Sequence, residues 1–109
     1  MVIFEYNPMD KHLICKFSGH LDTNMSLLIS EEIQNKISEL QQGKTEGDKL
    51  EEKIDFDMTG VDFISSSFIR ICLVVSNQTG EGGFSIFNCN PFLKKTLKIA
   101  GLNDLLHVS

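Results

Sequence analysis

From Ile54 onward the hydrophobic pattern switches back and forth between the period of a strand and the period of a helix. This alternation restricts the fold more than any other feature of the chain. Ile54-Asp55-Phe56-Asp57-Met58 alternates apolar and acidic side chains, as a strand with one buried face does. Thr59-Gly60-Val61-Asp62 carries turn chemistry. Ser65 or Ser66 then caps a stretch that runs to about Gln78. Ile69, Ile71, Val74 and Val75 are β-branched and would also suit a strand, but the length and the serine cap favour a helix. Its apolar residues fall on most faces, which predicts that it is largely buried. After the turn Thr79-Gly80-Glu81-Gly82-Gly83, Phe84-Ser85-Ile86-Phe87 returns to period two. Pro91 opens a last helix with Phe92, Leu93, Thr96, Leu97 and Ile99 as its apolar face, and Gly101 ends it. Strands alternating with helices imply parallel pairing through right-handed crossovers.

The first half adds a hairpin and a helix. Val2 to Tyr6 and Leu13 to Phe17 read as strands joined by the turn Asn7-Pro8-Met9-Asp10-Lys11, which implies antiparallel pairing. Ser18-Gly19-His20 is expected to end the second strand. Leu21-Asp22-Thr23-Asn24 offers side-chain oxygens to free backbone N–H groups and reads as a helix start. Met25, Leu28, Ile29, Ile33, Ile37 and Leu40 follow at helical spacing, with Glu31, Glu32, Asn35, Lys36 and Glu39 on the other face. Gln41-Gln42-Gly43 ends that helix, and Lys44 to Lys53 reads as a solvated polar loop whose charges nearly cancel. Leu102 to Leu105 is expected to form a helical turn, and Leu106-His107-Val108 a short closing strand. The expected product is a single α/β domain over residues 1–109: a small mixed, mainly parallel β-sheet of four to five strands with helices packed on it.

Charge and cysteine usage narrow the function. A net charge of -5 disfavours nucleic-acid binding, which needs a basic face to release counterions. No apolar run approaches the ~20 residues that span a bilayer, and the N-terminus lacks the pattern of a signal peptide, so no membrane insertion is expected. Cys15, Cys72 and Cys89 sit far apart among apolar residues and form no metal spacing. They read as reduced, buried thiols of a cytoplasmic protein.

One segment carries more specific information. Asp57-Met58-Thr59-Gly60-Val61-Asp62-Phe63-Ile64-Ser65-Ser66-Ser67 resembles the signature D-x-S/T-G-V-x-F-I-D-S-S/T-G of the STAS domain family, named for sulfate transporters and bacterial anti-sigma factor antagonists. Asp57, Thr59, Gly60, Val61, Phe63, Ile64, Ser66 and Ser67 match it. Gly19-His20-Leu21-Asp22 is similar to the family's G-x-L-D before the first helix. Phe84 to Asn88 with Pro91, then Ala100-Gly101-Leu102, are similar to its last strand, helix and turn. The resemblance spans essentially the whole chain, and a stand-alone chain of this length is most like the antagonists. It implies a partner-switching regulator that binds an anti-sigma factor, itself an ATP-dependent serine kinase. Phosphorylation at Ser67, with Ser66 as the nearest substitute, would release the partner, and a serine phosphatase would restore binding. Asp22, Asp57, Ser65, Ser66, Phe68 and Arg70 would shape the docking surface. No cofactor is implied, and the chain is expected to be a monomer or weak dimer.

The physics of such a switch stands apart from the resemblance. A serine in the first turn of a helix lies beside unpaired N–H groups and the positive end of the helix dipole. A phosphate there is tolerated by the fold, while its charge of about -1.5 to -2 opposes a partner that presses on the helix start. A loss of about 4 kcal/mol would weaken binding roughly a thousand-fold.

The chain also departs from the pattern. Ser65 replaces the usual Asp but remains a competent cap. Phe68 replaces a glycine that would let a partner's backbone approach closely. Arg70 replaces a small residue one helical turn beyond Ser67, where it can pair with a phosphate or stay solvated.

Other readings of the same residues are blander or belong to other classes. Asp22 reads equally as an N-cap and a partner contact, and Asp57 as a loop-orienting group or a solvated strand-end acid. Asp55, Asp57 and Asp62 lack calcium-loop spacing, and His12, His20 and His107 lack zinc spacing. A hydrolase using Ser66 or Ser67 with His20 as base would need a positioning motif such as G-x-S-x-G, which is missing. The alternative within the same fold is an accessory subunit of a stress-signalling or lipid-transport complex that works without phosphorylation.

Overall fold

The computed structural model describes residues 2–41, 50–80, 82–103 and 106–109. Strand β1 (Val2–Asn7) and strand β2 (His12–Leu21) form the expected antiparallel hairpin, with Phe4 opposite Cys15. Helix α1 (Thr23–Leu40) crosses to strand β3 (Lys53–Ile64), which pairs parallel to β2. Helix α2 (Ser66–Gln78) leads to strand β4 (Phe84–Phe87), parallel to β3, and helix α3 (Pro91–Ile99) follows. The sheet order is β1-β2-β3-β4, a small mixed sheet with three helices. The expected closing strand is reduced to one parallel bridge between Ile86 and Val108. Of the solvated loop expected over Lys44 to Lys53, residues 44–49 lie outside the described residues, whereas Leu50 and Glu52 are buried and Lys53 already belongs to β3. The helix stop at Gln42-Gly43, Glu81 of the following turn and Asp104-Leu105 of the expected helical turn also lie outside the described residues.

Strand alternation sends Leu13, Cys15, Phe17, Ile54, Phe56 and Met58 to one face, where all are buried. Aromatic rings knit the centre of that face. Phe17 meets Phe56 edge-on at 4.8 Å and Phe68 at 5.2 Å, and Phe56 meets Phe84 at 4.9 Å. Because Phe68 belongs to α2, that helix packs on this face. Ile29, Ile33 and Ile37 bury the inner stripe of α1, and Leu93 and Leu97 that of α3.

Several expected features differ in register rather than kind. Spacing groups Leu28 with the buried stripe of α1, but it stands about 100° from Ile29 around the helix and is exposed. Ser26 occupies the inner stripe instead. Phe92 and Ile99 likewise face outward from α3, and Val74 outward from α2, so those helices are less enclosed than their composition implies. The expected strand ends at Ser18-Gly19-His20 and Thr59-Gly60-Val61-Asp62 do not occur, because both strands continue through bulges. Lys16 pairs with Asp57 but Ser18 with Gly60, and Gly19 pairs with Val61 but His20 with Phe63, so β3 carries the extra residues. Gly60 sits at the first bulge, where a Cβ would lie 3.2 Å from the Ser18 Cβ. Gly19, at φ +89, holds a conformation that side chains resist. Turn-type residues therefore make bulges here, and the extended strands carry both helix starts to the C-terminal end of the two central strands.

Candidate functional site

Helices α1 and α2 begin at the C-terminal ends of adjacent parallel strands, so their first turns lie side by side. Asp22 caps α1, its Oδ1 accepting from the Met25 N–H at 2.8 Å. Ser65 caps α2, its Oγ accepting from the Phe68 N–H at 3.2 Å. The Ser65 N–H donates to the Leu21 carbonyl at 2.9 Å, which ties the end of β3 to the end of β2. The Ser65 and Ser26 hydroxyls meet at 3.2 Å and join the two first turns. Each cap satisfies a donor that the helix itself leaves open.

Ser66 and Ser67 are the first two residues of α2. Ser66 is exposed and Ser67 half-buried. Among the described residues no side-chain hydrogen bond engages either hydroxyl. Ser67 opens into a groove of about 270 Å³ between α1 and α2, lined from α1 by Ser26, Leu27, Ser30 and Gln34 and from α2 by Arg70, Ile71 and Val74. Sequence reasoning did not single out the α1 lining, because which face of α1 meets α2 depends on the crossover. Gln34 is held at the far end by paired amide bonds of 3.0 and 2.9 Å with Gln78.

Phe68 is not exposed for the partner contact that the resemblance implies. Its side chain is fully buried against Phe17 and Phe56, so no partner can touch it without unfolding the helix start. The substitution that raised the steric concern therefore points inward and leaves the outer surface of the first turn open. Arg70, one turn beyond Ser67, is exposed, and among the described residues its guanidinium makes no ion pair or hydrogen bond.

Asp57 lies on the other face of the sheet, away from the groove. It accepts from the Thr59 N–H at 3.1 Å and the Thr59 hydroxyl at 2.5 Å, and from the Asn88 amide at 3.1 Å. Partial burial pushes its carboxyl up, but those hydrogen bonds and nearby Lys16 outweigh burial and hold it below the ordinary carboxylate range. Asn90 caps α3 through Leu93 N–H at 2.8 Å, and its amide donates to the Val61 carbonyl at 3.2 Å. Asn88 and Asn90 thus grip the bulged part of β3 from the segment after β4. Asn88 does so at φ +59, a conformation that asparagine tolerates.

The remaining acids and histidines are engaged separately. Asp55 pairs with His12 and Ser85, both at 2.6 Å. The His20 ring stacks on Phe63 and lies 3.4 Å from Asp62, and among the described residues no hydrogen bond links it to Ser66 or Ser67. Among those residues no group of three His, Cys, Asp or Glu side chains converges as metal ligands would. Among the described residues no helix is long and apolar enough to cross a membrane.

This geometry can be set beside known proteins. The model of the STAS domain matches residues 5–109. No curated protein matches the chain. Among solved structures, an anti-sigma factor antagonist from Mycobacterium paratuberculosis superposes with a TM-score of 0.78 at 16% identity, covering 99% of this chain and 83% of that one. The antagonist SpoIIAA in its unphosphorylated form gives 0.72 at 18% identity, covering 100% and 88%. Phosphorylated SpoIIAA, a Bacillus cell fate determinant, gives 0.65 at 18%, covering 100% and 91%. At these identities the likeness speaks for the fold.

Proposed function

The chain belongs to the STAS domain family, and from that premise we propose that it is an anti-sigma factor antagonist, a partner-switching regulator controlled by phosphorylation of Ser67. The observation that carries this reading is the setting of Ser67: a hydroxyl without a hydrogen bond among the described residues, in the first turn of a capped helix, at the mouth of a groove between two helices. A kinase partner transfers the γ-phosphoryl group of ATP to it. The Ser67 oxygen forms the new bond to phosphorus, the bond to the ADP oxygen breaks, and the hydroxyl proton leaves. The helix dipole and the free N–H groups of the first turn accept the new charge, so the domain stays folded. Binding changes because the charge of about -1.5 to -2 lies where a partner must dock. Likeness of fold to SpoIIAA in both its unphosphorylated and phosphorylated forms is consistent with this.

The test is to incubate the chain with its candidate anti-sigma kinase and ATP, locate any phosphate by mass spectrometry, and compare Ser67 variants. Ser67→Asp weakens binding, Ser67→Ala leaves it largely intact, and neither unfolds the domain. Equal affinity of the two variants removes Ser67 as the switch. Partner binding without any phosphate transfer would favour an accessory subunit that works unmodified.

A further inference from the structure

The groove between α1 and α2 is apolar along Leu27, Ile71 and Val74, and its one charged lining group is Arg70. Leu27 is 67% exposed and Val74 44%, so the apolar rim is open to solvent. Among the described residues the guanidinium has no partner, in a protein with five more acidic than basic side chains and a net charge of -5. An unpaired arginine beside an apolar slot fits one kind of occupant well: a segment of a protein partner that places a carboxylate on Arg70 and an apolar side chain beside it. The volume of about 270 Å³ falls below the ~300–1,000 Å³ of small-molecule sites, which favours inserted side chains over a free metabolite.

Arg70 also stands three residues after Ser67 on α2, on the same side of the helix. Resting on the reading of Ser67 as the phosphate acceptor, we infer that Arg70 is the movable anchor of the switch: it binds an acidic side chain of the partner when Ser67 is free, and is captured by the phosphate when Ser67 is modified. Phosphorylation then acts twice. It adds negative charge at the groove mouth, and it removes the one positive charge that the partner uses. Arginine suits both states, because its planar fork takes carboxylate and phosphate alike.

Two measurements test this, and the first needs no partner. Phosphoserine is placed at position 67 by genetic encoding, in the natural chain and in Arg70→Gln, and the phosphate is titrated by 31P NMR. Capture by Arg70 lowers the second phosphate pKa by about one unit relative to Arg70→Gln. Identical titration in the two proteins overturns the inference, whether or not a kinase exists. Circular dichroism checks that both proteins are folded, and Arg70→Lys, which keeps the charge and loses the fork, should fall between them.

The second measurement is the affinity of unmodified chain for the anti-sigma kinase identified through Ser67. Arg70→Gln weakens it by about tenfold or more, with a steeper loss in Arg70→Glu. Unchanged affinity in Arg70→Gln overturns the anchor, even if Ser67→Asp still blocks binding. Conversely, a weakened Arg70→Gln with equal Ser67→Asp and Ser67→Ala affinities would reject the phosphorylation reading and with it the capture step. Self-association that disappears in Arg70→Gln would identify a second copy of the chain as the occupant and also overturn the inference.

Discussion

Phe68 shows how one side chain can be read in opposite ways. The resembling family carries glycine there, so a phenylalanine suggests a blocked surface, yet its ring lies wholly inside, edge-on to Phe17. In this chain Phe68→Gly would leave a cavity under the first turn of α2. Loss of a buried phenylalanine costs about 3–5 kcal/mol, a large share of the ~5–15 kcal/mol that holds a domain together. Chemical denaturation should show a fall of that size, and a fall below 1 kcal/mol would mean that the pocket collapses freely. Asp57 gives a second prediction, in pH rather than packing. Its folded-state pKa lies below the ordinary value of 3.8. The stability it contributes is therefore complete above that value and disappears as pH falls through the lower folded-state value. Between about pH 5 and pH 2 the melting temperature of the natural chain should drop more steeply than that of Asp57→Asn. Parallel curves would show that the hydrogen bonds from Thr59 and Asn88 do not favour the charged form.

The helix starts are where local chemistry and fold agree, and Ser65 is the place to test that agreement. Ser65→Ala removes the acceptor for the Phe68 N–H and the partner of the Ser26 hydroxyl, and should cost about 0.5–2 kcal/mol by thermal or chemical denaturation. Ser65→Asp restores a cap and adds a favourable charge at the helix N-terminus, so its stability should match or slightly exceed the natural chain. A destabilised Ser65→Asp would mean that the contact with Ser26 dominates. Element order and both helix starts were legible in the sequence because they depend on neighbours in the chain, Asp22 and Ser65 bonding to residues three positions on, although local chemistry left the cap open between Ser65 and Ser66 and among Asp22, Thr23 and Asn24. Strand ends were not legible. Thr59 bonds to Asp57 as in a local turn, but pairing of the bulged strand with β2 overrides the local signal. The groove was half legible. Ser67 and Arg70 lie one turn apart on one helix, whereas Leu27, Ser30 and Gln34 join them only through the packing of α1 on α2. Leu28 and Ile29 both fit helical spacing to their apolar neighbours, and only the packing decides that Ile29 faces inward and Leu28 outward.

At the scale of the molecule, the proposed switch leaves the fold intact only if the sheet and helices open as one unit, and three cysteines report on that unit from separate places. Cys15 lies in the middle of β2, Cys72 in α2 and Cys89 between β4 and α3, and all three are free and buried. Burial, helped by the charge of Asp55, pushes the Cys15 thiol up to about 12. Burial pushes the Cys72 thiol up still further. Cys89 rises to about 11 by burial, with Lys94 easing it slightly. Because the thiolate is the reacting species, none should label appreciably in the native state near neutral pH. Pulse labelling in rising denaturant, read by mass spectrometry, should show Cys15 and Cys72 becoming reactive together at the global transition. Cys89 should react earlier only if the segment after β4 opens by itself. The comparison should then be repeated on chain carrying phosphoserine at position 67. If the phosphate acts only on the docking surface, Cys72 stays coupled to Cys15, since α2 has not loosened from the sheet. Labelling of Cys72 ahead of Cys15 in the modified protein would mean that the charge detaches α2, and binding would then be lost through local unfolding rather than through the groove.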